Sequence, residues 1–373
     1  MNKKVLIVLA LMAVLLSGCV EKEAIKVGGL FALTGKWATG GVTEANFVRI
    51  AIDEINAAGG VNGQKLELVL EDDKCTGPDS VTAANKLIFQ DNVKVILGPS
   101  CTPASLPVAP IANENKVFMM AATTTAKGAF DKFEYAFRTS PPATDAALFI
   151  GKVAAEKYGL KNVAIITAET EFGQSWSDEF AKSFIAKGGN IVLKESYPAE
   201  TTDFKTIISK VAAKDVDGVF VSGQAPQDSG IVLKQMKELG LLDKVRIIGN
   251  PTTIDLEVNR ISGNALPAGA FTVVAYADNP QLLQKYVNRF NEQPGFQFFY
   301  TAAMYDATYM LRDALLVCGE NSECIKDYFT NLRDWQGTVA KWSFNAFGDP
   351  VLAEDAYREV RIVNNEKVYD IIS

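Results

Sequence analysis

Histidine is absent from all 373 residues. That single gap removes His-based catalytic triads, His-ligated zinc and any histidine general base. Cysteine is scarce: residues 19, 75, 101, 318 and 324 are scattered, so no thiolate cage for a metal is written into the chain. The 28 glycines and 14 prolines are too few for a fibrous or disordered chain. Positive charge is also short, with 37 Lys and Arg against 44 Asp and Glu. Residues 1–19 hold two lysines and no acid, so the remainder sets 35 bases against 44 acids, a net charge of -9. No basic stripe relieves that balance, and a nucleic-acid partner is not expected. Gly-x-Ser-x-Gly and Gly-x-x-x-x-Gly-Lys-Ser/Thr are both missing, and Gly28-Gly29-Leu30 falls short of a dinucleotide fingerprint. An enzyme is therefore not expected, and no cofactor. The acidic trio Glu71-Asp72-Asp73 tempts a metal reading, but neighbours on a strand point to opposite sides, so no metal site is expected.

What the chain does have is 48% hydrophobic residues in a length beyond one ordinary domain, which makes two lobes the default. Lys3 and Lys4 precede an apolar run from Val5 to Leu16. Twelve residues are too short to span a bilayer comfortably and suit a secretory signal. The run ends in Leu16-Ser17-Gly18-Cys19, which resembles the lipobox of secreted lipoproteins. The expectation is a signal peptide over 1–18, lipid on Cys19, a tether over 19–24, and an extracytoplasmic protein held to the cell membrane. A plain signal peptide or an uncleaved anchor with an incidental cysteine is the other reading. Four cysteines remain, an even number that permits disulfides outside the cell. Cys318 and Cys324 flank a small polar loop that a bridge would staple. Cys75 and Cys101 each follow an apolar strand candidate, and their loops meet if those strands are parallel neighbours. Buried free thiols are the alternative for both pairs.

Beyond residue 24 short apolar strands alternate with longer amphipathic helices. Strands are expected at 25–30, 66–70, 93–97, 117–121, 163–167, 190–194, 217–222, 245–248 and 271–276. Helices fall between them, the first over 45–58 with Phe47, Ile50, Ala51 and Ile55 on one face. The alternation predicts an α/β fold of mostly parallel sheets with helices on both faces. Ligands in such sheets bind at the edge formed by the loops after the strands. Breaks come near 139–143 and 271–278. Helices 280–292, 299–317 and 322–332 follow. The tail is extended over 338–344, 359–363 and 368–372, with Asn364-Asn365-Glu366 as a hairpin turn.

Several segments in order now resemble one family. They are Ile25-Lys26-Val27-Gly28-Gly29-Leu30, Leu33-Thr34-Gly35, the stretch from Asp53 to Gly63, Glu71-Asp72-Asp73, Gly98-Pro99-Ser100-Cys101 and Ala121-Ala122-Thr123. Phe137-Arg138-Thr139, Phe172-Gly173, Trp342-Ser343-Phe344-Asn345 and Gly348-Asp349 continue the set. Together they resemble the extracytoplasmic solute-binding proteins of branched-chain amino acid transporters, the Leu/Ile/Val-binding type, over residues 24–373. The resemblance implies the type I periplasmic-binding-protein fold: two Rossmann-like lobes, three interlobe crossings and a ligand in the cleft. Lobe 1 would hold 25–139 plus 274–350, and lobe 2 would hold 140–273 plus 351–373. It also implies a Cys75–Cys101 pair.

For the cleft, the resemblance implies that Thr102, Ala121 and Thr123 hold an α-carboxylate and part of an ammonium, within the segments Pro99-Ser100-Cys101-Thr102 and Ala121-Ala122-Thr123-Thr124. Free N–H groups at strand ends and helix starts suit a carboxylate in any case, and Ser100 and Ala122 join the candidate set. Trp37 would pack on an apolar ligand portion. From lobe 2, Phe172 stands where the family commonly has tyrosine, and Gln224 where branched-chain binders place an aromatic. The family's acid for the ammonium is missing from the loop beginning at Asn250, with Asp255 or Asp228 as substitutes. These departures leave room for an aromatic acid, an amide or another small amphipathic solute. The expected partners are an amino acid-like solute, a membrane ABC permease and the lipid membrane through Cys19, with the protein itself a monomer. A sensory module for a membrane signalling receptor shares the same cleft and anchor and stands as the alternative.

Overall fold

The computed structural model describes residues 22–198, 200–364 and 366–372. The expected signal peptide and Cys19 lie outside the described residues, as does Asn365 of the expected hairpin turn. Among the described residues no helix is long and apolar enough to cross a membrane.

The first half of the chain runs β1 (Ile25–Phe31), α1 (Ala38–Ala57), β2 (Leu66–Asp72), α2 (Gly77–Asn85), β3 (Val95–Leu97), α3 (Thr102–Glu114), β4 (Phe118–Ala121) and β5 (Ala136–Arg138). These strands form a five-stranded sheet in the order β2-β1-β3-β4-β5, parallel throughout. The central strands are buried at every position of β3 and β4, as expected when helices cover both faces. The order reverses between β1 and β3, so their following loops open a crevice at one sheet edge. Two glycines let the backbones approach there. Gly98 has φ +105°, and a Cβ on it would lie 1.9 Å from the Leu30 carbonyl oxygen. A Cβ on Gly41 would lie 2.3 Å from the Ala32 carbonyl oxygen, so α1 seats its first turn directly on the end of β1.

The second half runs α4 (Ala143–Lys152), β6 (Asn162–Ala168), α5 (Glu171–Ala186), β7 (Asn190–Tyr197), α6 (Lys205–Ala212), β8 (Gly218–Ser222), α7 (Pro226–Glu238), β9 (Arg246–Gly249), α8 (Leu256–Ile261) and β10 (Phe271–Ala275). The chain then adds α9 (Pro280–Phe290), α10 (Phe298–Cys318) and α11 (Ser322–Thr330), which return to the first half. Tyr305 and Tyr309 of α10 donate to Glu54 of α1 at 2.6 and 2.9 Å, and Lys285 of α9 does so at 2.7 Å. A small pairing of β11 (Trp335–Gln336) with β12 (Lys341–Trp342) follows. Last come β13 (Tyr357–Val363) and β14 (Glu366–Ile371). The second sheet has the order β14-β13-β10-β9-β8-β6-β7. It is parallel from β7 to β10, with β13 and β14 added antiparallel as a hairpin.

The chain thus passes between the halves three times: after Arg138, after Ala275 and between β12 and β13. Arg138 binds the first passage to the third. Its side chain is fully buried, pairs with Asp349 at 2.6 Å, and donates to the carbonyls of Thr124 and Ala126 at 3.0 and 2.7 Å. β10 continues in the second sheet to Ala275, two residues past the expected boundary at 273. The expected extended run 338–344 contracts to the two-residue strand β12, because Asp306 on α10 takes the N–H groups of Thr338 and Val339, both at 2.8 Å, leaving them nothing to give a sheet. The sulfurs of Cys75 and Cys101 lie 2.02 Å apart, and those of Cys318 and Cys324 lie 1.99 Å apart.

Candidate functional site

Several of the loops that follow parallel strands in both halves gather at one place. A hollow of about 490 Å³ lies there, lined by Lys36, Trp37, Cys75 and Pro103 from the first half and Thr170, Gln224 and Asp228 from the second. It sits after β1, β2 and β3 on one side and after β6 and β8 on the other, where open α/β sheets take ligands. A larger hollow of about 670 Å³ lies beside the second passage, between Tyr276, Phe296 and Tyr369 and just after β10.

Around the smaller hollow the halves touch through polar bonds. Trp176 of α5 donates its indole N–H to Thr125 Oγ1 at 2.9 Å. The Lys127 backbone N–H reaches Ser175 Oγ at 2.8 Å, and its ammonium reaches Glu179 at 2.7 Å. Lys36 lies 3.5 Å from Asp228 and 3.4 Å from Glu200. Asp228 reaches back from the first turn of α7 to accept the Ala225 N–H at 3.3 Å. Burial pushes its carboxyl up, against the pull of Lys36.

The expected site residues fall into three groups. Trp37 and Gln224 line the hollow. Trp37 packs edge-on against Phe296 with centroids 4.6 Å apart, and Gln224 accepts the Thr170 hydroxyl at 2.7 Å. Ser100, Thr102 and Thr123 lie together behind the Trp37 wall, all buried. The Thr123 N–H donates to the Ser100 carbonyl at 3.0 Å. Thr102 opens α3, and its hydroxyl accepts the Ala126 N–H at 3.4 Å. The remaining residues turn elsewhere. Ala121 packs into the apolar core on the far face of the first sheet, its carbonyl taking the Thr139 N–H at 3.0 Å. The Ala122 carbonyl accepts the Ser140 hydroxyl at 2.5 Å. Phe172 is buried 6.4 Å from the Trp176 ring. Asn250 is engaged inside the second half, donating to Ser222 and Gly223 at 3.3 and 3.0 Å.

The two acids proposed for a ligand ammonium are both already paired. Asp228 faces Lys36, and Asp255 lies 2.8 Å from Lys367 while capping α8 through the Glu257 N–H at 2.9 Å. Of the acidic trio, Asp72 accepts the Leu33 N–H at 2.9 Å and the Thr34 hydroxyl at 2.6 Å, shaping the loop after β1. Asp73 accepts the backbone N–H groups of Cys75 and Ser100 at 2.7 and 2.9 Å, and burial pushes its carboxyl up to about 6. Among the described residues no group of three or more cysteine or acidic side chains is placed to hold a metal ion.

Sequence reasoning missed Glu44. It is fully buried on α1, and it accepts the hydroxyls of Ser100 and Thr123, each at 2.6 Å. The Trp37 indole N–H turns toward the same carboxyl without completing a bond of normal geometry. Burial pushes Glu44 up to about 8, with the hydroxyl bonds opposing and the like charge of Asp73 adding to the rise. A signal was there: Phe47, Val48 and Ala51 lie three, four and seven residues on, so helical spacing puts Glu44 on the buried face.

Comparison with known proteins follows this geometry. The profile of the family described as periplasmic binding protein matches residues 24–348. The leucine-, isoleucine-, valine-, threonine- and alanine-binding protein of Pseudomonas aeruginosa is 30% identical over 244 residues, 65% of this chain and 64% of that protein. A Leu/Ile/Val-binding protein homolog of Brucella abortus is 28% identical over 365 residues, 95% of each. Among solved structures, a branched-chain amino acid transporter substrate-binding protein from Streptococcus pneumoniae, in complex with isoleucine, superposes with a TM-score of 0.84 at 23% identity, over 94% of this chain and 99% of that one. An ABC-transporter solute-binding protein from Rhodopseudomonas palustris, in complex with 3,4-dihydroxybenzoic acid, does so at 0.79 and 26%, over 94% and 96%. The fold is the type I arrangement of such proteins. On the match across residues 24–348, the chain belongs to the periplasmic binding protein family.

Proposed function

We propose that this protein is a lipid-anchored extracytoplasmic receptor that takes a small carboxylate solute, amino acid-like or amide-bearing, between its lobes and delivers it to an ABC permease. The observation that carries the reading is the 490 Å³ hollow at the strand ends of both sheets, lined from both halves. Residues 1–18 are removed, Cys19 carries lipid and 19–24 form the tether. Lobe 1 comprises 25–139 plus 274–350 and lobe 2 comprises 140–273 plus 351–373, with β10 of the second sheet running across the boundary at 273. Cys75–Cys101 and Cys318–Cys324 are disulfides, which the sulfur separations support. The protein acts as a monomer.

The solute's carboxylate passes the Trp37 wall to meet the buried hydroxyls of Thr102 and Thr123 near the start of α3, where helix N–H groups and dipole favour an anion. Trp37 covers its apolar part, and Gln224 reads a polar substituent. Because Asp228 and Asp255 each already face a lysine, an ammonium group gains less here than a carboxylate does. The relatives named for branched-chain amino acids and the structure holding a dihydroxybenzoic acid both fit a carboxylate in the cleft.

Native mass spectrometry of the gently purified protein tests this directly. A small carboxylate should accompany the chain, and the same compound should raise the melting temperature by binding only the folded form. Finding no bound compound, and no shift across amino acids, aromatic acids and amides, would overturn the reading. Thr123→Ala should weaken a carboxylate ligand by about 1–3 kcal/mol in titration calorimetry. Cys19→Ser should move the protein from the membrane fraction to the soluble one.

A further inference from the structure

Glu44 lines neither of the two hollows, yet it holds the two hydroxyls behind the cleft wall. Its carboxyl lies between Ser100 Oγ and Thr123 Oγ1, at 2.6 Å from each. Ser100 is fixed from three sides: its hydroxyl also accepts the Ala32 N–H at 2.9 Å, and its own N–H goes to Asp73 at 2.9 Å. The Ser100 proton therefore has one direction left, toward Glu44. Thr123 is different, because its hydroxyl can either give its proton to Glu44 or accept one from it. An ionised Glu44 draws both protons inward and leaves Thr123 only lone pairs to offer a ligand. A neutral Glu44 accepts from Ser100 on one oxygen and donates from the other to Thr123, whose own proton then points away from Glu44.

We propose that Glu44 is a neutral carboxylic acid in the resting protein and that its proton, given to Thr123 Oγ1, makes the Thr123 hydroxyl a donor to the carboxylate of the solute. Glu44 is thus a positioning residue for the ligand site, and the inference rests on the reading that Thr123 meets that carboxylate. The surroundings favour the neutral form. Glu44 is fully buried, and the charged group acting on it is Asp73, of the same sign. Of the other titratable groups on helices packed against α1, Tyr286 of α9 takes the Asn46 amide at 3.2 Å and gives its hydroxyl proton to Glu292 at 3.1 Å, and four lie at the far end of α1. Lys285, Tyr305 and Tyr309 meet Glu54, and Arg289 meets Asp53. That is nine or ten residues along, about 14 Å at 1.5 Å per residue.

The test begins without a ligand. The infrared difference between the parent and Glu44→Gln at neutral pH should contain the carbonyl stretch of a protonated carboxyl, replaced by carboxylate bands as the pH passes about 8. Carboxylate bands already present at neutral pH would overturn the proposal. Benzoate and 4-methylpentanoate, which have no amine to titrate, then serve as probes beside L-leucine. For whichever probe binds the parent, Kd should be level up to about pH 8 and then weaken about tenfold per pH unit. Glu44→Gln, whose amide donates to Thr123 and accepts from Ser100, should give a flat profile, and Glu44→Leu should bind weakly at every pH. A parent profile that stays level, or one that Glu44→Gln leaves sloping, would overturn the coupling. A neutral Glu44 in the infrared with none of the three probes bound would confirm its protonation and count against the carboxylate reading instead.

Discussion

A single glutamate on a helix is ordinarily a solvated residue, and that is why Glu44 escapes notice in the sequence although its helical neighbours place it inward. Its burial has a consequence for stability as well as binding. The folded chain keeps a proton on Glu44 up to about pH 8, whereas the ordinary value is 4.5. The proton-holding form therefore contributes fully below about 4.5, and that contribution is lost as the pH rises through 8. Each pH unit in that window costs the folded state up to about 1.4 kcal/mol. Thermal melts should show Glu44→Gln gaining on the parent steadily between about pH 5 and 8, then holding a constant lead. A lead independent of pH would mean that Glu44 is already ionised. The ligand residues taken from the resemblance divide for a similar reason. Motif order finds the loops after β3 and β4, but it cannot tell which of Ala121, Ala122 and Thr123 turns inward. The strand register decides that, putting Ala121 in the core and Thr123 beside Ser100.

At the level of strands and helices, a buried ion pair ties the first passage between the halves to the third. Arg138 is enclosed with Asp349 and two carbonyls. Removing one partner of a buried ion pair strands the other, at about 3–5 kcal/mol. Asp349→Ala should lower the denaturant midpoint accordingly, and the double change Arg138→Met with Asp349→Leu should recover much of the loss. Equal loss in the double variant would show that packing, not charge, matters at this joint. Most elements were legible because buried parallel strands read as unbroken apolar runs, as in Val95-Ile96-Leu97, and helices as stripes of period 3.6. Besides the two-residue β11, two elements were not. β5 has three residues, ends in a charged arginine, and is a strand only because Met119 to Ala121 lie alongside. α8 has six residues and starts from Asp255, which reads as part of a polar loop until its cap bond to Glu257 is seen.

Across the whole molecule, the halves meet around the hollow through polar contacts, which suits a hinge that must open. Lys36 is the member of that set facing the hollow, and its partner Asp228 is 2% exposed. Exposed ion pairs contribute about 0–1 kcal/mol, but a buried carboxylate left without its lysine costs more, about 1–3 kcal/mol. Lys36→Ala should therefore shift the ligand-free protein toward the open form, seen as a larger radius of gyration in small-angle scattering, with the difference vanishing once solute is bound. An unchanged radius would show that Lys36 has no part in closure.

The chain enters the fold at the opposite pole. Gln64 holds the Glu23 carbonyl at 2.8 Å and Lys22 reaches the Asn62 carbonyl at 3.1 Å, both beside the start of β1. The hollow lies past the other end of that seven-residue strand, about 23 Å away at 3.3 Å per residue. Cys19 is three residues before Lys22, a reach of at most about 11 Å. A lipid on Cys19 would stand the molecule upright on the bilayer with its mouth turned outward. A loaded receptor would then have to topple before it could present its lips to a pore in the same membrane, and the length of those few leash residues would govern how freely it falls.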